Sequence, residues 1–66
     1  MKISAFTQTE IDYLEIVCNF TDCELQLFKL RAQDIPLEEC AERMNMSVST
    51  VKRISKDVIT KIMREC

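Results

Sequence analysis

Pro36-Leu37-Glu38-Glu39-Cys40-Ala41-Glu42-Arg43-Met44-Asn45-Met46-Ser47-Val48-Ser49-Thr50-Val51 is the stretch that decides the fold of this chain. Leu37, Cys40, Ala41 and Met44 stand at i, i+3, i+4 and i+7, the apolar stripe of a short amphipathic helix. Proline is preorganised for the first helical position, so this helix is expected to start at Pro36. Glu38 and Glu39 then lie in its first turn, where the helix dipole favours them. The helix is expected to end at Asn45. Asn45-Met46-Ser47 makes a short turn, Ser47 is a good N-cap, and Met46 and Val51 occupy the positions of a hydrophobic staple. A longer helix is expected over residues 48–64, with Val51, Ile54, Val58 and Ile62 as its main stripe and Ile59 and Met63 widening it. A short helix, a tight turn and a longer helix form a helix-turn-helix, and the small Ala41 lets the two helices approach closely.

Upstream, Phe6-Thr7-Gln8-Thr9-Glu10-Ile11 and Phe20-Thr21-Asp22-Cys23-Glu24-Leu25 repeat one start signal. Each places Thr at the N-cap, Glu at N3, Phe just before the Thr and an aliphatic residue at N4, a capping box joined to a hydrophobic staple. Helices are therefore expected over 8–19 and 22–33. The first puts Ile11, Leu14 and Cys18 on one face, with Val17 beside them. The second groups Leu25, Phe28 and Ala32, flanked by Leu27 and Leu30. These spacings are helical, and strict alternation is absent. The chain contains no glycine. A left-handed residue ending a helix must then be Asn or Asp, and Asn19 and Asp34 stand where the first two helices should stop. The expectation is one all-α domain over residues 1–66. It is a small four-helix domain in which a tri-helical core (20–66) contains the helix-turn-helix and residues 1–19 add an N-terminal helix.

Composition narrows the function. Without glycine there is no glycine-dependent phosphate loop, and without histidine the commonest general base and metal ligand are missing. A chain of 66 residues also has little core to spare for a substrate cleft. No enzyme, cofactor or small-molecule substrate is expected. No apolar run approaches the roughly 20 residues of a membrane span, and the start of the chain lacks a signal-peptide core, so a cytoplasmic protein without membrane contact is expected. Cys18, Cys23, Cys40 and Cys66 include no C-x2-C pair. No metal site is expected, and Cys18, Cys23 and Cys40 are expected as small hydrophobes in a reducing compartment.

Charge is divided along the chain. Residues 1–46 hold four basic and nine acidic residues, a net −5, whereas residues 47–66 hold five basic and two acidic, a net +3. A basic last helix on an acidic body is the electrostatic signature of a DNA reader. Ser49, Lys52, Arg53 and Lys56 share the face opposite Val51, Ile54 and Val58, in the half of the helix that a recognition helix offers to base edges. Lys and Arg suit guanine O6 and N7, and Ser suits phosphate or base. A solvated basic face is the plainer explanation of the same pattern. Lys61, further along, is expected to meet phosphate.

The same residues carry a family resemblance. Phe20-Thr21-Asp22-Cys23-Glu24 with Leu27-Phe28, Ala32-Gln33-Asp34, the run Glu39 to Ser47, and Thr50-Val51-Lys52-Arg53 together resemble the LuxR/GerE-type helix-turn-helix. Ser47-Val48-Ser49-Thr50-Val51-Lys52 is equally similar to region 4 of sigma factors. The resemblance covers residues 20–66 and implies a stand-alone transcription regulator that binds double-stranded DNA. It implies base contacts by Lys52, Arg53 and Lys56, and phosphate contacts or capping by Ser47 and Thr50. Asp34 and Asn45 replace the family's glycines. Where LuxR-type domains add a helix after the recognition helix, this chain has one in front.

A single recognition helix gains affinity by pairing, so a homodimer is an expected partner state. Its candidate contacts are Tyr13, Ile16 and Phe20, or Ile59, Met63 and Cys66, against the plainer expectation that these residues are core. The alternative function is a protein-interaction module that docks on RNA polymerase or a partner regulator without touching DNA. It rests on Glu38, Glu39 and Glu42, which helical spacing places beside the recognition face.

Overall fold

Three of the four helices begin where a side-chain oxygen takes up a free amide of the first turn, as the computed structural model of residues 3–65 shows. The Thr7 side chain accepts from the Glu10 amide at 3.2 Å, and Glu10 accepts from the Thr7 amide at 2.8 Å. Thr21 and Glu24 repeat this reciprocal cap at 3.3 and 2.9 Å. These caps start α1 (Gln8–Val17) and α2 (Asp22–Ala32), after a 3-10 turn over Ile3–Ala5. Ser47 Oγ accepts from the Thr50 amide at 3.3 Å and starts α4 (Val48–Glu65). The remaining helix, α3 (Leu37–Met44), begins one residue later than expected. Pro36 has an extended ψ of 155° and is the N-cap, not the first helical residue; it offers only its carbonyl, which accepts from Cys40.

The helix stops follow from the absence of glycine. Asn19, Asp34 and Asn45 have φ of 51°, 62° and 57°, the left-handed region that Asn and Asp tolerate best after glycine. Asp34 closes a Schellman motif on α2: its amide donates to Arg31, and the Ile35 amide donates to Leu30. Asn45 and Met46 do the same on α3, donating to Glu42 and Ala41. The residues after the two stops, Ile35 and Met46, then fold back against Leu30 and Ala41 in one apolar cluster. α1 and α2 end at Val17 and Ala32, slightly short of the expected 19 and 33, because Cys18 and Gln33 are their caps.

No strand occurs among the described residues, and the protein is an all-α, four-helix domain. Its core has two clusters. One joins Ile3, Ile11, Leu14, Cys18, Phe28, Val58 and Ile62. The other joins Leu27, Ile35, Cys40, Ala41, Met44 and Val51. Ile54 packs against both. α4 is therefore the axis of the molecule, with its amino-terminal half on α3 and its carboxy-terminal half on α1. α2 also serves both clusters, through the neighbouring residues Leu27 and Phe28.

That two-sided role corrects the expected face of α2. Leu25 is only half-buried and belongs to neither cluster, while Leu27 and Phe28 are fully buried. The Phe20 ring packs on Phe28, with centroids 5.0 Å apart. Ile59 and Met63 do not widen the core stripe of α4: Ile59 is half-buried outside both clusters, and Met63 is 64% exposed. Cys18 and Cys40 are buried as expected, but Cys23, in the solvent-facing first turn of α2, is exposed. Cys66 lies outside the described residues. Among the described residues, no helix is long and apolar enough to cross a membrane.

Candidate nucleic-acid interface

The rotation of α4 about its axis is set by its buried stripe. Val51, Val58 and Ile62 are fully enclosed, and every residue on the opposite side is turned outward. Ser49, Lys52, Arg53 and Lys56 are all exposed. None of the three cations forms an ion pair with a described carboxylate, so their charge is uncompensated at short range. Ser47 and Thr50 sit at the helix start, their hydroxyl oxygens 2.9 Å apart, and Ser47 Oγ also holds the Thr50 amide. Capping thus accounts for Ser47, while Ser49 carries no such bond. Five of the six expected site residues fall on the first three turns of α4, and the sixth, Ser47, caps it.

A shallow groove runs between α3 and the start of α4. Glu38 and Glu42 line one side, and Ser47 and Val48 line the other. Two of the three expected carboxylates therefore flank the amino end of the basic helix. Glu39 instead pairs with Arg43 at 3.3 Å, one turn along α3.

Lys61 has a partner within the chain. Its ammonium donates to Glu24 Oε1 at 2.5 Å. That oxygen also accepts from the Thr21 amide, so the capping box of α2 is tied to the far half of α4. Glu24 is only 7% exposed. Burial opposes its ionisation, but hydrogen bonds from Lys61 and Thr21, and the Lys61 charge, outweigh burial and hold the carboxyl below the usual glutamate value. Lys61 thus has a carboxylate partner, whereas Lys52 and Lys56 have none among the described residues. The signal for this pair was faint: Glu24 has the same capping role as Glu10, and nothing local marks it for burial.

The thiol of Cys40 donates to the Ile35 carbonyl at 3.6 Å. Burial pushes its pKa up, which makes it a poor nucleophile. Among the described residues, no group of three Cys, Asp or Glu side chains is arranged to hold a metal ion. No protein family, curated protein or solved structure matches this chain.

Proposed function

We propose that the protein binds double-stranded DNA sequence-specifically as a helix-turn-helix transcription regulator, laying the first half of α4 in the major groove. The observation that carries this is the trio Lys52, Arg53 and Lys56. They are exposed, without carboxylate partners, and aimed away from the core by a helix locked in rotation. The resemblance of residues 20–66 to LuxR/GerE-type and sigma region 4 sequences supports the same assignment. In this reading Lys52, Arg53 and Lys56 read bases or bind phosphate, and Ser49 and Thr50 add hydroxyl contacts beside the cap made by Ser47.

Fluorescence anisotropy of labelled duplex DNA at several salt concentrations tests the proposal. Binding should fall linearly on a log–log plot, with a slope of about 0.9 per phosphate neutralised. Lys52→Ala should cost about 1–3 kcal/mol at a preferred site and flatten sequence preference. Lys61→Ala should leave the salt slope unchanged in protein that remains folded, because Lys61 is engaged with Glu24. A wild-type protein that ignores DNA even at low salt sinks the proposal.

The groove between α3 and α4 favours one alternative. Glu38 and Glu42 line the groove beside the start of α4, and a phosphate backbone laid there would be repelled. A domain that docks on RNA polymerase or a partner regulator would instead use these carboxylates toward a basic surface.

A further inference from the structure

α4 carries two exposed carboxylates of its own, Asp57 and Glu65. Glu65 ends the helix, whereas Asp57 follows Lys56 directly, inside the basic stretch. Two cations stand one turn from Asp57, Arg53 at i−4 and Lys61 at i+4, the spacing at which a helix pairs opposite charges. Neither pairs with it. Lys61 is held by Glu24, 37 positions away in the chain. Arg53 is exposed and has no carboxylate partner among the described residues. The Asp57 carboxylate is therefore left uncompensated on the flank of the face formed by Ser49, Lys52, Arg53 and Lys56.

Chemistry limits what such a carboxylate can meet on a duplex. Ionised, it only accepts hydrogen bonds. Phosphate repels it, and guanine O6 and N7 and thymine O4 are acceptors like itself. The donors of the major groove are the amino groups of cytosine N4 and adenine N6. The adenine amino group lies between two acceptors, its own N7 and the O4 of the paired thymine. The cytosine amino group has an acceptor on one side only, the O6 of the paired guanine, and so suits a carboxylate better. Asp57 lies about 1.5 Å further along the helix axis than Lys56, and about 6 Å beyond Arg53. It reaches the groove wherever Lys56 does, and it meets a different base pair from Arg53.

We infer that Asp57 is a specificity-determining residue of α4, accepting a hydrogen bond from the amino group of one cytosine in the major groove. The inference rests on the reading of α4 as a recognition helix. The cations hold the duplex, and Asp57 withholds binding from a site that offers it no donor.

Site selection from a randomised duplex library, followed by anisotropy on the selected duplex, tests it. The wild-type chain should select cytosine at one position, and replacing that cytosine by thymine should weaken binding about tenfold. Asp57→Ala should lose the preference at that position alone and bind the cytosine and thymine duplexes equally. Asp57→Asn should turn the preference toward adenine, whose N6 and N7 suit an amide. Glu65→Ala removes the same charge from the end of α4 and should leave every preference as it is. Asp57 is exposed, and circular dichroism checks that its variants stay helical. An Asp57→Ala chain that selects the wild-type site unchanged overturns the inference and leaves the DNA-binding reading standing. So does a loss of preference at the position that Arg53→Ala also affects, because Asp57 then acts by positioning Arg53. A wild-type chain that binds no duplex at low salt, or all duplexes alike, overturns both readings.

Discussion

Phe28→Ala is expected to leave the protein without a cooperative folded state at 25 °C. Phe28 is 0% exposed, packs against the tilted Phe20 ring at 5.0 Å, and fills the cluster where α1, α2 and the end of α4 meet. Truncating a buried Phe to Ala costs about 3–5 kcal/mol, since the cavity adds to the lost transfer energy. A single core in a chain this short supplies only about 3–5 kcal/mol in total. The loss therefore matches the whole reserve. Urea denaturation followed by circular dichroism should show no sigmoidal transition for Phe28→Ala. Leu25→Ala, three residues away but outside both clusters, should keep one. If Phe28→Ala unfolds cooperatively with a midpoint near that of the unaltered chain, the fold does not depend on the Phe28 ring.

Glu24→Ala should have the second-largest effect, about 2–3 kcal/mol. It removes half of a capping box and also strands a partly buried ammonium, the more damaging way to break such a pair. Glu10→Ala removes the equivalent cap on α1, but from an exposed carboxylate with no lysine attached, and should cost about 1 kcal/mol or less. The contrast is the test: two identical local motifs, unequal losses in urea midpoint. Acid should report the same pair. The Glu24 carboxyl is held below its usual value in the folded chain, so unfolded chains bind the proton more readily. Its stabilisation is complete at neutral pH and is lost as pH falls through the lowered folded value. Glu24→Gln should be less stable at neutral pH and lose less on acidification. Parallel pH profiles would remove Glu24 from the acid response.

The helix starts were legible because caps are local. Thr7 with Glu10, Thr21 with Glu24, and Ser47 with Thr50 each lie within one turn. The stops were legible for the same reason, since a chain without glycine must use Asn19, Asp34 and Asn45 where the backbone turns left-handed. The outward side of α4 followed from the Val51–Ile54–Val58–Ile62 spacing. What escaped was non-local. Glu24 and Lys61 are 37 positions apart. Leu27 displaces Leu25 because α2 lies between two clusters, and periodicity on one helix cannot count its neighbours. Met63 fits an apolar pattern but finds no helix opposite it. The position of Glu38 and Glu42 at the mouth of α4 was readable in outline from α3, whereas the withdrawal of Glu39 into a pair with Arg43 was not.

Ile54 is the one residue of α4 that packs against both clusters, and its consequence lies in hydrogen exchange. Opening either half of the core removes part of the Ile54 packing and so loosens the other half. Backbone amides on both sides of Ile54 should therefore exchange through the same global event, not as separate foldons. The outer surface of α4 is then already ordered before anything meets it, and a ligand seated there does not bear the conformational entropy of making the helix.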